Sequence, residues 1–289
     1  MLNIGELANH VKDDVAFHVP QIVWYWLPEA WRAGETHPGR IPLPRIEMLG
    51  FSFQLTKFMV LEVVAGLIML LIFVPLAWRL RRIGPPRGRF WNALEILLLF
   101  IRDEIVRPAI GGKEADRFLP FVWNLFFFVL ICNLLGLVPW AGSPTGAFAV
   151  TVALATLTFA TVVLTGISVH GLGGYWLALV PHMDVPLAIK VFLFPLILVL
   201  EVWGLFIRHA VLAVRLLANI FAGHFVLAVI VGFIAAAAPA NLFLWGGVTV
   251  FSILGAVAVS LLELLVAFLQ AYVFATLSSI FIGMAIHAH

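Results

Sequence analysis

The chain has 289 residues, 63% of them hydrophobic and 11% charged, with a formal net charge of +2 and a mean hydropathy of +1.09. Soluble domains run at about 45–50% apolar and about 25% charged, so this composition excludes a soluble domain and marks an integral membrane protein. The one cysteine, Cys132, lies inside an apolar run, which rules out an internal disulfide.

Residues 1–57 are polar to mixed, with Pro and Gly clustered in "THPGRIPLP", and read as an extramembrane arm. The first 20 residues carry Glu6, Lys12, Asp13 and Asp14, and no cleavable signal peptide is expected there. Residues 58–289 read as a single transmembrane helical domain. Its first span runs from about Phe58 to Trp78, and Arg79, Arg81, Arg82, Arg87 and Arg89 follow directly. A short basic loop stays on the cytoplasmic side, which places the N-terminus outside.

Phe90–Ile110 carries Arg102, Asp103, Glu104 and Arg107 in its second half, too many charges for a span, and is expected to be an amphipathic interfacial helix. Spans follow over about Phe118–Val138 and about Ala147–Ile167, joined by the uncharged "PWAGSPTG". Two longer apolar runs, Pro186–Ala238 and Asn241–Ile286, are broken only by "PAN". At 1.5 Å per residue they reach about 75 and 68 Å, more than twice the hydrocarbon thickness, and neither has an internal turn signal. Each therefore reads as one long, strongly tilted helix. The sum is an all-α membrane protein with about five crossings, an interfacial helix and a cytoplasmic C-terminus. No repeat, Gly-rich phosphate loop or Cys/His metal cluster is visible, so neither cofactor nor metal is expected.

The chemistry is concentrated in "EVWGLFIRHAVLAVRLLANIFAGH", Glu201–His224. Glu201, Arg208 and Arg215 are seven residues apart. On a helix that spacing drifts by only about 20° per step, and Asn219 returns to the direction of Glu201. These four share a stripe, while His224 faces elsewhere. A central Arg costs about 2.5–3.5 kcal/mol on insertion scales, so Arg215 needs a partner or a water-filled cavity. Two readings stand side by side: a structural ion pair with Glu201 or Glu263, and an ion path. Arg208 is open to both structural and functional use. Glu263 is the one acid of the last long run; Gln270 lies seven residues further on the same face, with Tyr272 near it. A carboxylate and an imidazole opposite each other can exchange a proton, which pairs Glu263 with His224. Cys132 and Asn133 read as packing and interhelical bonding, and His287 and His289 as an ordinary tail.

At "RLLANIFAGH", with Glu201 fourteen residues before Arg215 and "LLELLVAFLQAYVFATLSSIF" after it, the chain resembles the a subunit of the membrane sector of rotary F-type ATP synthases. The likeness extends over the N-terminal arm, the basic loop, "CNLLGLVPWAGSPTGAFAVTVALA" and both long helices. It implies a stator with two offset half-channels that meet a rotating c-subunit ring. Arg215 then matches the essential arginine that faces the ring carboxylates. His224 and Glu263 match the inlet pair, in the His-then-Glu order of mitochondrial forms, and Glu201 matches the acid on the exit side. Asn219 and Gln270 match supporting polar residues.

The resemblance further implies b subunits of the peripheral stalk and, indirectly, the catalytic F1 sector as partners, with protons as the transported ion and no nucleic acid. A bacterial inner membrane is the expected location. With no nucleotide site the chain is no enzyme by itself. Two departures stand out: Gly204 replaces a frequent Ser, and His209 replaces a proline, which leaves room for Arg208 or His209 in the exit route. The competing readings are a self-contained ion-coupled transporter and a membrane scaffold held by structural ion pairs.

Overall fold

The computed structural model describes residues 16–18, 40–43, 45–48, 51–82, 88–112, 114–138, 142–180, 187–239 and 241–287. Four short strands come first: β1 (Ala16–His18), β2 (Arg40–Pro42), β3 (Arg45–Met48) and β4 (Phe51–Gln54). They pair antiparallel as β1 with β2 and β3 with β4, the latter in the register Arg45 to Gln54. The membrane part is all helix. α1 spans Lys57–Arg82, α2 Arg89–Phe100, and a π-helical segment, Ile101–Val106, leads into α3, Arg107–Ile110. α4 (Ala115–Gly136), α5 (Phe148–His170), α6 (Leu172–Ala178), α7 (Leu187–Ala237) and α8 (Leu242–Ile286) complete the chain.

Five of these helices, α1, α4, α5, α7 and α8, are long and apolar enough to cross a membrane. All five sit where the apolar runs place them. The reason is physical: hydrocarbon offers no partner for backbone N–H and C=O groups, so a run long enough to span closes its hydrogen bonds within itself. The two longest runs remain single helices of 51 and 45 residues. Pro195 lies inside α7 without ending it. The turn signal "PAN" also acts as expected, since Asn241 Oδ1 accepts the backbone N–H of Leu244 at 2.9 Å and caps α8. Of the basic loop, residues 83–87 lie outside the described residues, as does His289.

The chain divides into two compact units, and the long helices contribute to both. The first holds residues up to Leu71, Phe128–Val150 and Leu216–Leu269. Ala65 of α1 packs on Ile131 and Cys132 of α4, with Ile68, Met69, Phe128 and Leu135 around them. Residues 142–146, which follow α4, are buried. Thr145 Oγ1 donates to Asn133 Oδ1 at 2.7 Å, and Ser143 Oγ stands 2.7 Å from Thr145 Oγ1 and 3.2 Å from the Cys132 carbonyl. Gly142 has φ +76°, and a Cβ there would come within 2.9 Å of the buried Lys57 Nζ. Only glycine serves both the backbone and the space.

The second unit holds Ile72–Phe127, Thr151–Arg215 and Gln270–His289. α2 buries none of its residues, whereas the π-helical segment buries Ile101, Ile105 and Val106. At the junction between them, Trp123 of α4 donates its indole N–H to the Leu98 carbonyl at 3.1 Å. Outside, Arg102 and Arg107 both reach Asp103 Oδ1 at 2.9 Å. The hydrogen bond from Arg102 holds the Asp103 carboxyl below the usual carboxylate range, against a smaller opposing effect of desolvation. α8 closes on α3 without a side chain between them, because a Cβ at Gly283 would collide with the Ala109 carbonyl. His287 Nε2 then donates to the Ile110 carbonyl at 2.9 Å, and His170 Nε2 to the Ile286 carbonyl at 3.2 Å. His287 is thus a helix-end clamp rather than part of an ordinary tail: the carbonyls at a helix C-terminus lack intrahelical donors, and the imidazole supplies one.

Candidate functional site

In the second unit, Leu205, His209, Leu212 and Ala213 are the buried residues of α7 among the described side chains. Glu201, Arg208 and Arg215 leave the helix about 85° round from that buried stripe, at 100° per residue. They stand on its flank, neither in the core nor fully opposite it. Arg208 Nη2 lies 3.9 Å from Glu201 Oε2. That direct ion pair spans the i, i+7 gap, though it is longer than a hydrogen bond. Arg215 is exposed and makes no hydrogen bond or ion pair among the described residues. Within this unit it does not pair with Glu201, which instead stands beside Arg208. Gln270 is 5% exposed, and its Nε2 is buried with no partner among the described residues. Tyr272 rests on Phe100, ring centroids 6.1 Å apart.

In the first unit, Asn219 and His224 are half-buried. His224 Nδ1 lies 3.0 Å from the Ile220 carbonyl. A carbonyl only accepts, so the neutral ring carries its proton on Nδ1 and presents a lone pair at Nε2. Glu263 comes up against the residue before it: a Cβ on Gly223 would collide with Glu263 Oε1 and lie 2.9 Å from Cδ. Glu263 Oε1 is buried and has no hydrogen-bond partner among the described residues. His224 is within electrostatic reach of this carboxyl, with no direct hydrogen bond between them. An acceptor imidazole beside an unsatisfied carboxyl is an arrangement that can exchange a proton.

One turn beyond Glu263, the Ala267 carbonyl accepts a hydrogen bond from Asn133 Nδ2 at 3.4 Å. The Ser143–Thr145–Asn133 chain thereby reaches α8 next to the carboxyl. The interhelical role of Asn133 follows from its sequence; the part played by Ser143 and Thr145 does not, because nothing in a polar loop marks it as buried. Gly223 was likewise silent, since the absence of a side chain matters only once Glu263 is seen against it.

Comparison with known proteins bears on what these groups serve. The family model described as "ATP synthase A chain" matches residues 59–283. The protein named ATP synthase subunit a from Myxococcus xanthus is 39% identical over 280 residues, covering 96% of this chain and 86% of its own length. Its namesakes from Chloroherpeton thalassium and Chlorobium phaeobacteroides are 38% and 37% identical, each over 86% of this chain and over 71% and 69% of their own lengths.

Proposed function

The chain belongs to the ATP synthase A chain family, and on that footing we propose that it is the stator of a rotary proton path, with Arg215 facing the carboxylates of a c-subunit ring. As a subunit a it is a proton-channel component of the membrane Fo sector, multi-pass and not an enzyme by itself. The observation that supports the finer reading is Arg215, exposed and without an anion partner among the described residues, on a helix of 51 residues. A guanidinium stays charged throughout the working pH range, and its cost in hydrocarbon is removed only by an anion or water from outside the chain. A ring carboxylate passing this position is drawn into its ionised form and gives up its proton. The fixed charge also blocks protons from crossing directly between the two half-channels.

His224 and Glu263 form the inlet, where the Nε2 lone pair and the buried carboxyl oxygen take turns with the proton. Glu201 serves the exit side, paired loosely with Arg208, and Asn219 and Gln270 are supporting polar groups. Each proton moving through about 100 mV releases about 2.3 kcal/mol, which ring rotation collects over several steps. Residues 58–289 act as one transmembrane domain after an outside arm, 1–57. The basic segment Arg79–Arg89 keeps its side of the bilayer cytoplasmic, which gives an outside N-terminus and a cytoplasmic C-terminus in a bacterial inner membrane. The basic segment and the charged surface around Asp103 suit b subunits of the peripheral stalk, and through them the F1 sector.

The test is ATP-driven acidification of membrane vesicles carrying Arg215→Ala, with assembly checked by co-purification. An assembled complex without pumping is expected. An assembled complex that pumps normally overturns the role given to Arg215.

A further inference from the structure

The sequence leaves open whether His209 takes part in proton movement, and its surroundings in the second unit now bear on the question. It follows Arg208 directly but stands on the buried side of α7, 3% exposed. Its ring is edge-on to Phe159 of α5, with centroids 5.3 Å apart, and tilted on Phe281 of α8 at 4.9 Å. Nδ1 lies 2.9 Å from the Leu205 carbonyl, so the neutral ring carries its proton there and Nε2 presents a lone pair. That Nε2 is buried and has no hydrogen-bond partner among the described residues.

Packing does not account for a histidine in this slot. A phenylalanine would fill the gap between two aromatic rings and leave no polar atom unsatisfied. A buried lone pair calls for a donor small enough to reach it, which means water or a proton delivered by water. The same two flanking helices also carry buried hydroxyls. Thr158 donates to the Ala155 carbonyl at 2.8 Å, Ser278 to Phe274 at 2.7 Å and Ser279 to Ala275 at 2.8 Å, so each buried hydroxyl keeps its oxygen lone pairs free to accept. No Asp, Glu, Lys, Arg or His occurs in residues 151–169 of α5 or 270–286 of α8, and Tyr272 is the sole ionisable group there. His170 and His287 stand at the helix ends, each bound to a backbone carbonyl. The charges that flank His209 on its own helix are Arg208, adjacent to it, Glu201, about two turns earlier, and Arg215, under two turns later.

We propose that His209 is a proton-accepting station on the Glu201 side of the path, a role that rests on the reading of Arg215 and Glu201 given above. An O–H bond of a protonated water breaks as the Nε2–H bond forms, and the reverse step hands the proton back to water toward Glu201; Nδ1–H stays on the Leu205 carbonyl throughout, and no electrons change hands.

The experiment uses whole-complex vesicles and measures ATP-driven acidification against pH for His209→Phe and His209→Gln, with co-purification as the assembly control and Arg215→Ala alongside. The phenylalanine keeps the aromatic packing, so the complex is expected to assemble while proton flux falls by at least about tenfold. The glutamine, which offers an acceptor oxygen that does not titrate, is expected to recover part of the flux with a flattened pH profile. His209→Phe working as the unaltered chain does at every pH overturns the proposal. If His209→Phe does not assemble, His209→Gln decides: a flattened profile supports the proposal and an unchanged one overturns it. Failure of both to assemble makes His209 a packing residue and also overturns it. Pumping by Arg215→Ala would instead remove the reading beneath, whatever His209 does.

Discussion

Gly223→Ala adds one carbon at a point where Glu263 leaves no room for it. The new Cβ would meet Oε1 and lie 2.9 Å from Cδ and 3.1 Å from Cγ. Comfortable carbon–carbon contact begins at about 3.5 Å, so the carboxyl has to retreat by roughly 1 Å. For the helix itself the change is favourable, since alanine is better than glycine in a helix interior by about 0.8–1.0 kcal/mol. Crowding a packed site acts in the opposite direction, by about 1–3 kcal/mol. The net cost is about 0–2 kcal/mol, small enough that the complex is expected to assemble. The proton exchange has no such compensation, because the crowding acts whenever Glu263 occupies its working position. At 1.36 kcal/mol per tenfold, that penalty corresponds to a loss of roughly 5- to 150-fold in ATP-driven acidification. Glu263→Asp in the same chain withdraws the carboxyl by one methylene and is expected to restore part of the rate, so that the double variant pumps better than the two single losses multiplied together. Gly223→Ala pumping at the unaltered rate, or losses that simply multiply, would refute the idea that this glycine makes room for the carboxyl.

Three further outcomes are expected. Asn133→Ala leaves Thr145 without its acceptor and the Ala267 carbonyl without its donor in a buried place, which should cost about 1–3 kcal/mol and lower the melting temperature of the purified complex in detergent. His287→Ala removes the donor to the Ile110 carbonyl, and a loss of about 0.5–1.5 kcal/mol should appear as faster amide exchange in α3 with α4 unchanged. Asp103, held low by Arg102, should titrate below the ordinary carboxylate range when followed by its carboxyl carbon shift. Because its pKa is depressed in the folded chain, its ionic contacts persist at and above the ordinary range and are lost as pH falls through the lowered value; Arg102→Gln should move that midpoint upward.

Helix placement was open to sequence reasoning because one constraint dominates it. Any apolar run long enough to span must satisfy its backbone internally, and the two longest runs contained nothing to break them. The charged stripe of α7 was equally open, since a seven-residue spacing needs only helical geometry. What remained closed depends on neighbours distant in sequence. The π-helical segment, the strands β1 to β4 and the short α6 carry no period or cap signal that distinguishes them. Gly223 and Gly283 act through atoms they lack, and His287 through a carbonyl 177 residues away in the chain. The absence of an ion pair at Arg215 also had to be seen, because Glu201 lies on the same stripe and instead engages Arg208.

Within the chain, only 6% of the most apolar window of α7 and 11% of that of α8 are buried, against 50% for α4. Lipid can cover the uncovered leucines and phenylalanines at little cost, but it cannot satisfy the guanidinium of Arg215. A newly synthesised copy without its neighbours therefore carries an unsolvated cation in the hydrocarbon, which favours slippage of the helix toward the headgroups and disfavours the native depth. On the proposed reading, a ring carboxylate brought opposite Arg215 removes that cost, so assembly itself holds the helix at its native depth.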